Sequence, residues 1–352
     1  MSVIEDIALT FLRKVNPEIA HALAIKSLSM GVVGAYDTVT SSRLRTNIAG
    51  IELPNPIGLA AGFDKNAEAL CGLASCGFGF LEVGAATPEA QFGNPKPRIF
   101  RLPEDQAVIN RLGFNNKGMR FIAHKLSTRS EKIITGLNLG ANKDSGDKVA
   151  DFVKVLSHCG SHIDFATVNV SSPNTNRLRD LQEGNALSEL LSCISETREN
   201  LNRPIPIFLK IAPDLARNDL ETIAEVAVSH KIDAIIATNT TLDRNGINDA
   251  YGKVAGGLSG KPLFKKSTQV LAIMSDTLGG RIPLIGVGGI SCGSDAYQKI
   301  CAGASAIQLY TAFIYQGFSL IGKIAVELDK CLERGGFENI SEAVGSKAKD
   351  WL

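Results

Sequence analysis

The sequence predicts an α/β protein folded as a (β/α)8 TIM barrel with a small N-terminal helical extension. Three observations predict it. Eight short runs rich in β-branched and aliphatic residues recur from Asn47 onward, each followed by a polar or glycine turn and a helical stretch. The alternation runs without a break, which favours closure into a barrel over an open doubly wound sheet. The residues just past several of these runs are polar and unusual, and this fold gathers its sites at the C-terminal ends of its strands. At 352 residues the chain accommodates one barrel with additions. The expected division is a helical extension over 1–40 and the barrel over 41–352.

Residues 3–15 place Val3, Ile4, Ile7, Phe11 and Val15 on one helical stripe, with Arg13 and Lys14 near its end. Asn16-Pro17-Glu18 then reads as an N-cap, a first-turn proline and a favourable early acid, opening a second helix to about Leu28. The pattern alone leaves two readings open: the helices dock on the domain, or their apolar faces meet lipid or a lipophilic ligand. Gly31, Gly34 and the Ser/Thr-rich 38–42 form a linker, and Ile48 to Leu53 reads as a hairpin plugging the barrel bottom. The strands are Ile57–Ala60, Phe80–Val83, Ile133–Leu139, Ile163–Val170, Ile205–Ile211, Ala234–Thr238, Pro283–Val287 and Ala306–Tyr310. Helices follow near 66–76, 116–127, 146–159, 186–201, 218–230, 263–278, 294–302 and 317–333.

Composition narrows the function. With 44% hydrophobic and 21% charged residues the chain is an ordinary globular protein, and a net charge of +1 provides no field to gather nucleic acid. The seven cysteines form no CxxC pair and read as reduced packing residues. Neither Cys nor His recurs at ligand spacing, so no metal is expected. No apolar run approaches the roughly 18 residues that span a bilayer. Glu5 and Asp6 stand where a signal peptide would be basic, so the protein is expected to stay on the cytoplasmic side.

The chemistry-bearing segment is Ile163 to Thr175. Its strand must stop before Pro173, which cannot donate to a ladder, and it ends in Asn169, Ser171, Ser172, Asn174 and Thr175. Such a cluster can orient a small polar ligand and, with a serine in reach, move one of its protons. Alternation along the chain lets only one of Ser171 and Ser172 face that ligand. The other strand ends contribute Ala61-Gly62-Phe63-Asp64-Lys65, Asn138 with Asn142, Lys210, and Thr238-Asn239-Thr240. Gly286-Val-Gly-Gly-Ile290 and Tyr310-Thr311 follow strands seven and eight, where barrels bind phosphate through backbone N–H groups. Gly256 to Gly260 adds a close-approach loop. The spacing is not a dinucleotide fingerprint. A phosphate cofactor such as flavin mononucleotide (FMN) suits the loops better, the bland alternative being glycine turns without a ligand. Lys65 and Lys210 can offset negative charge on a reduced flavin or a substrate carboxylate. Asn110, Asn169, Asn174 and Asn239 suggest an amide or imide substrate bearing an acid group.

Six motifs in order, Gly58-Leu-Ala-Ala-Gly-Phe-Asp-Lys65, Asn110-Arg-Leu-Gly-Phe-Asn-Asn116, Gly136-Leu-Asn-Leu-Gly-Ala-Asn142, Val168-Asn-Val-Ser-Ser-Pro-Asn-Thr175, Lys210-Ile-Ala-Pro-Asp214 and Gly286-Val-Gly-Gly-Ile290, resemble those of the dihydroorotate dehydrogenases. The resemblance spans about 44 to 333. It is similar to the quinone-dependent class 2 enzymes, because a serine rather than a cysteine stands at the base position and a helical extension precedes the barrel. The soluble classes that pass electrons to fumarate or NAD lack both features. A barrel that binds a phosphorylated ligand without redox chemistry is the alternative of another kind.

The resemblance implies that dihydroorotate loses a C5 proton to Ser172 and a C6 hydride to FMN, which a membrane quinone reoxidises, forming orotate in pyrimidine biosynthesis. It implies substrate contacts from Lys65, Asn110, Arg111, Leu112, Gly113, Phe114, Asn169, Asn174, Asn239 and Thr240. It implies that Ala61, Gly62, Phe63, Asp64, Lys65, Ala85, Asn138, Asn169, Lys210, Thr238, Gly260, Gly289, Tyr310 and Thr311 hold FMN. Relatives commonly have Thr or Ser in the loop after strand two where this chain has Ala85, so any contact there comes from its backbone. The segment 171–185, with Arg177 and Arg179, reads as a lid. The helices over 1–40 then become a quinone tunnel lying on the cytoplasmic face of the inner membrane, a peripheral attachment.

Overall fold

A computed structural model describes residues 3–32, 36, 38–175, 178–247 and 254–352, with the side chains of Val3 and Ile4 outside the description. Gly34 of the expected linker and Arg177 of the expected lid lie outside the described residues. Thirteen described strands run in chain order: β1 Thr46–Ile48, β2 Ile51–Leu53, β3 Ile57–Leu59, β4 Phe80–Ala86, β5 Ile99–Leu102, β6 Ala107–Asn110, β7 Thr135–Leu139, β8 Phe165–Asn169, β9 Ile207–Ile211, β10 Ala234–Ala237, β11 Gly257–Gly260, β12 Leu284–Val287 and β13 Ala304–Leu309.

Eight of them, β3, β4, β7, β8, β9, β10, β12 and β13, close in that order into a parallel barrel. Their runs are apolar along nearly their whole length because each strand is covered on both faces. Helices such as Lys148–Cys159, Gly184–Glu199 and Phe264–Leu278 pack outside, forming one core with the outward strand residues. The inward residues form a second core, in which Phe80, Phe165 and Phe208 meet Ile236 and Ile285. Phe165 stacks on Phe208 at 4.5 Å. The expected hairpin is present as β1 and β2, its turn at Ala49 and Gly50, both with positive φ (54° and 83°) as a two-residue hairpin turn requires. Ile48 and Leu53 enter the inner core, so the hairpin does plug the barrel bottom.

Three segments depart from expectation. β4 continues past Val83 to Ala86, and its register against β7 skips Ala85. Ala85 therefore sits on a bulge within the strand, not in a following loop, and the bulge aims it into the barrel mouth. The first helix is only Leu70–Ala74, because the Asp64 carboxylate accepts the backbone N–H groups of Asn66, Glu68 and Ala69 and holds 64–69 in a tight turn. Gly256 to Gly260, expected as a loop, supplies β11, which pairs with β6 in a three-stranded antiparallel sheet, order β11-β6-β5. That sheet joins two excursions from distant parts of the barrel, and no local pattern announces such a pairing.

Two helices precede the barrel, α1 Val3–Lys14 and α2 Pro17–Ser29. Asn16 caps α2 by accepting from the Glu18 and Ile19 N–H groups, and Pro17 opens the first turn. The pair docks through polar pins and through buried apolar residues, Leu9, Ala20 and Leu28. Arg101 of β5 donates to the carbonyls of Leu12, Arg13 and Val15 at 3.1, 2.7 and 2.9 Å, satisfying the C-terminal end of α1. Arg98 pairs with Glu18 at 2.6 Å, and Leu28 is buried in the outer core. Ile7, Phe11, Ile19, Leu23, Met30 and Val32 are left exposed. No helix among the described residues is long and apolar enough to cross a membrane.

Candidate active site at the barrel mouth

One cavity of about 770 Å³ occupies the C-terminal mouth of the barrel and continues beneath α1 and α2. Of the residues singled out in the sequence, it brings together Ala61, Gly62, Phe63, Lys65, Ala85, Asn110, Leu112, Gly113, Phe114, Asn138, Asn169, Ser172, Asn174, Lys210, Thr238, Asn239, Thr240, Gly260, Gly289, Tyr310 and Thr311. Asp64 and Arg111 do not line the cavity. Asp64 spends its carboxylate on its own loop, as described above. The Arg111 guanidinium donates to the Pro97 carbonyl and lies 5.4 Å from the Phe100 ring centre, away from the cavity. Asn142 is likewise turned aside, donating to Thr87, Glu89 and Gln91.

The two serines are separated by their partners. Ser171 is fully buried, donating its hydroxyl to Asn169 Oδ1 at 2.9 Å while accepting from Asn239 Nδ2 at 3.0 Å. Ser172 lines the cavity, and among the described residues its hydroxyl accepts only a long 3.3 Å contact from the Asn174 N–H and donates to no acceptor. Nearby, the Asn174 amide donates to Asn110 Oδ1 at 3.3 Å, tying the β8 end to β6.

Below the rim runs a hydrogen-bonded chain that sequence reading missed. Asn169 donates to Asn138 at 2.8 Å; Asn138 and Gln308 both donate to Glu82, at 2.6 and 2.5 Å. Glu82 is a fully buried carboxylate with no cation beside it among the described residues, satisfied by two amides. The only signal for it was a lone acid inside the apolar run Phe80–Ala86. Gln308 lines the cavity, and its Oε1 is buried without a hydrogen-bond partner.

Two amines face the same space. Lys65 Nζ donates to the Gly62 carbonyl at 2.8 Å, and burial lowers its pKa to about 8 against the pull of Asp64. Lys210 is buried at the end of β9 and makes no hydrogen bond or ion pair among the described residues. An amine held dry without an acceptor calls for one from a ligand. The wall toward α2 is aromatic. Phe63 meets His21, Tyr310, Phe313 and Phe318 edge-on, at 5.2, 5.4, 5.1 and 6.0 Å between ring centres. His21 is kept neutral near pH 7, since burial first and Lys65 second push its pKa well below the imidazole range.

On the far side the backbone comes close. Gly288 and Gly289 have φ of 112° and 79°, and a Cβ on Gly289 would fall 2.5 Å from Phe264 Cα. Gly260 has φ of 100°, with Ala107 Cα 2.7 Å from where its Cβ would be. Only glycine fits at either place, and both present backbone to the cavity.

The segment after β8 is clamped by Arg179. Its guanidinium donates to the Ser171 carbonyl, to Asp214 and to the Thr240 carbonyl, each at 3.1 Å. Three rim loops are thereby held by one side chain. Lys266 joins Asp214 at 2.8 Å; burial pushes the Asp214 pKa up, but hydrogen bonds from Lys266, Thr241 and the Leu242 N–H hold it below its ordinary value.

Comparison with known proteins agrees over the whole chain. The family model described as dihydroorotate dehydrogenase matches residues 43–332. A Cereibacter sphaeroides protein named dihydroorotate dehydrogenase (quinone) is 56% identical over 353 residues, covering 100% of both chains. One of the same name from Sinorhizobium fredii is 46% identical, covering 99% of this chain and 98% of that one. Two crystal structures of DHODH from Eimeria tenella superpose closely. The complex with ferulenol has a TM-score of 0.91 at 36% identity, covering 96% of this chain and 98% of that chain. The ligand-free form has a TM-score of 0.90 at 37%, covering 94% and 99%.

Removing the clamp is expected to loosen the rim. Arg179→Ala should lower the opening free energy of the 171–185 backbone by roughly 1–3 kcal/mol, the range for hydrogen bonds to a charged group. Amide hydrogen exchange reads this directly, and unchanged protection there would refute the clamp.

Proposed function

The chain belongs to the dihydroorotate dehydrogenase family, and from that premise we propose how its residues divide the work of oxidising dihydroorotate. It is an oxidoreductase that forms orotate in pyrimidine biosynthesis with a quinone as acceptor. The observation that carries the proposal is the Ser172 hydroxyl, without an acceptor among the described residues and enclosed in the same cavity as Lys65, Lys210 and the carboxamides Asn110, Asn169, Asn174 and Asn239.

The cofactor implied is a flavin, and FMN suits the cavity on three counts. Lys210 supplies a dry cation without a counter-charge among the described residues. Gln308 Oε1 is an unpartnered acceptor. Gly260 and Gly289 leave backbone room on the side where a phosphate would lie. Lys65, Asn138, Asn169, Lys210 and Thr238 would hold the ring system, with Ala61, Gly62, Phe63 and Ala85 along its edge and Tyr310 and Thr311 toward the phosphate. Bound there, FMN supplies the hydride acceptor and the route for electrons to quinone.

Ser172 removes the C5 proton. A hydroxyl is a weak base, so its surroundings must help. Lys65 lies on the same cavity with its ammonium largely charged below pH 8, placed to offset negative charge on the substrate and on the developing enolate. Asn110, Asn174, Asn239 and Thr240 orient the ring, with Leu112, Gly113 and Phe114 closing over it. The Arg179 clamp keeps water out, which strengthens each of these interactions.

The quinone is assigned to the arm of the cavity under α1 and α2, lined by Leu9, Leu12, Ala20, Leu23 and the neutral His21. A lipid-phase acceptor needs a dry path, and the exposed Ile7, Phe11, Ile19 and Leu23 offer the membrane an apolar face beside it. Residues 1–40 are thus the quinone and membrane module, attached peripherally to the cytoplasmic face of the inner membrane.

Ser172→Ala should keep its flavin yet slow flavin bleaching by dihydroorotate without oxygen by about 10²–10⁴-fold; an unchanged rate removes Ser172 from the chemistry. Lys65 is charged below its pKa and neutral above it, so kcat/KM for dihydroorotate should fall as pH rises through about 8. Lys65→Met should erase that limb and lower kcat/KM by roughly ten- to a hundredfold, and a limb that survives in the variant points to another group. Ile7→Glu with Phe11→Glu should abolish co-sedimentation with lipid vesicles while sparing the anaerobic half-reaction; binding equal to the parent's would exclude α1 as the anchor.

A further inference from the structure

Lys299 is a buried lysine that the proposed mechanism does not use. It lies on the helix Gly293–Cys301 with no exposed surface. Its Nζ donates to Ser267 Oγ at 2.6 Å and lies 5.1 Å from the centre of the Phe264 ring. No carboxylate pairs with it among the described residues, and Asp295 exerts only a distant pull that fails to offset burial, which drives its pKa well below that of a free lysine.

Its neighbours belong to one loop. Ser267 Oγ lies 2.8 Å from the Leu263 carbonyl and 3.1 Å from those of Phe264 and Gly288, and its single proton goes to one of the three while Lys299 occupies a lone pair. A Cβ on Gly288 would fall 2.7 Å from Ser267 Oγ, and one on Gly289 would fall 2.5 Å from Phe264 Cα. The two glycines therefore lie pressed between this buried amine with its partners on one side and the cavity on the other. Burying a cation against a hydroxyl and a ring face is unfavourable by itself. An apolar side chain of similar length would fill the space without that cost. The arrangement makes sense if an anion sits across the loop, where low dielectric carries the attraction.

We propose that Lys299, its charged form favoured once an anion lies across the loop, is the buried counter-cation of the Gly288–Gly289 loop, a positioning residue that gives the cavity its preference for a phosphorylated flavin over the same flavin without phosphate. This rests on the reading of that loop as the phosphate end of the FMN site. The charge acts through the loop without touching the ligand, so it bears on the dianion and leaves the ring system's contacts alone.

The test is competition for the full-length protein. Purified protein is equilibrated by dialysis against equal FMN and riboflavin, and the retained flavins are separated and quantified, with thermal melting to verify folding. Lys299→Gln keeps a hydrogen bond to Ser267 but no charge, and Lys299→Met keeps neither; both should lower the FMN-to-riboflavin ratio about tenfold or more. Ser267→Ala leaves the ammonium and should keep most of the preference. If one lysine variant does not fold, the other carries the comparison. A parental preference that persists in the lysine variants overturns the role of Lys299, as does a loss in Ser267→Ala as large as theirs, which would assign the effect to loop shape. A parental protein with no preference overturns the phosphate reading itself, and the inference with it.

Discussion

Two amines at the barrel mouth, Lys210 buried and Lys65 half-buried, neither joined to a carboxylate among the described residues, govern its chemistry. Lys65 leans on a backbone carbonyl and Lys210 on nothing among the described residues. A cation so placed is costly in the empty protein and favourable only when something negative or electron-rich arrives. The carboxamides around them fit the same logic, because neutral donors and acceptors can orient a ligand without neutralising the cations. The one carboxylate at the centre of the barrel, Glu82, is occupied by Asn138 and Gln308 and so does not quench either lysine.

That constraint explains why the mouth must be covered. The rigid barrel presents side chains from eight strands, but a barrel rim is open to solvent unless something closes it. Here the antiparallel sheet β5-β6-β11 forms part of the cover, the Arg179 segment another, and α1 with α2 the rest. The helices are pinned by Arg98 and Arg101 from β5 and its approach, so the cover and the apolar outer face are one mechanical unit. The same two helices cover the mouth with Leu9, Leu12 and Ala20 while Ile7, Phe11 and Ile19 stay exposed.

Much of this was legible in residue order. β8 and its stop at Pro173 follow from local chain stereochemistry, and the eight barrel strands from repeated short apolar runs. The Asn16-Pro17 start of α2 needed nothing beyond capping rules. Most rim residues were found because strand ends in this architecture converge. Residue order did not show where the side chains of Asp64 and Arg111 turn: each is polar and beside the site, but its partners, three N–H groups in one case and the Pro97 carbonyl in the other, lie outside the cavity. Ala85 was placed in a loop because a bulge leaves no trace in apolar periodicity.

What residue order determined by itself was therefore the repeating unit, the barrel it builds and the chemical types ranged along its rim, since these depend on interactions between near neighbours in the chain. Which serine opens on the cavity was not among them: Ser171 is taken up by donating to Asn169 and accepting from Asn239, and it is Ser172 that lines the cavity. The sheet joining β6 to β11, the Glu82 chain and the position of Lys299 behind a glycine loop likewise belong to the tertiary structure. Each depends on groups far apart in sequence meeting in a space with no water to satisfy them, and no local pattern encodes such a meeting.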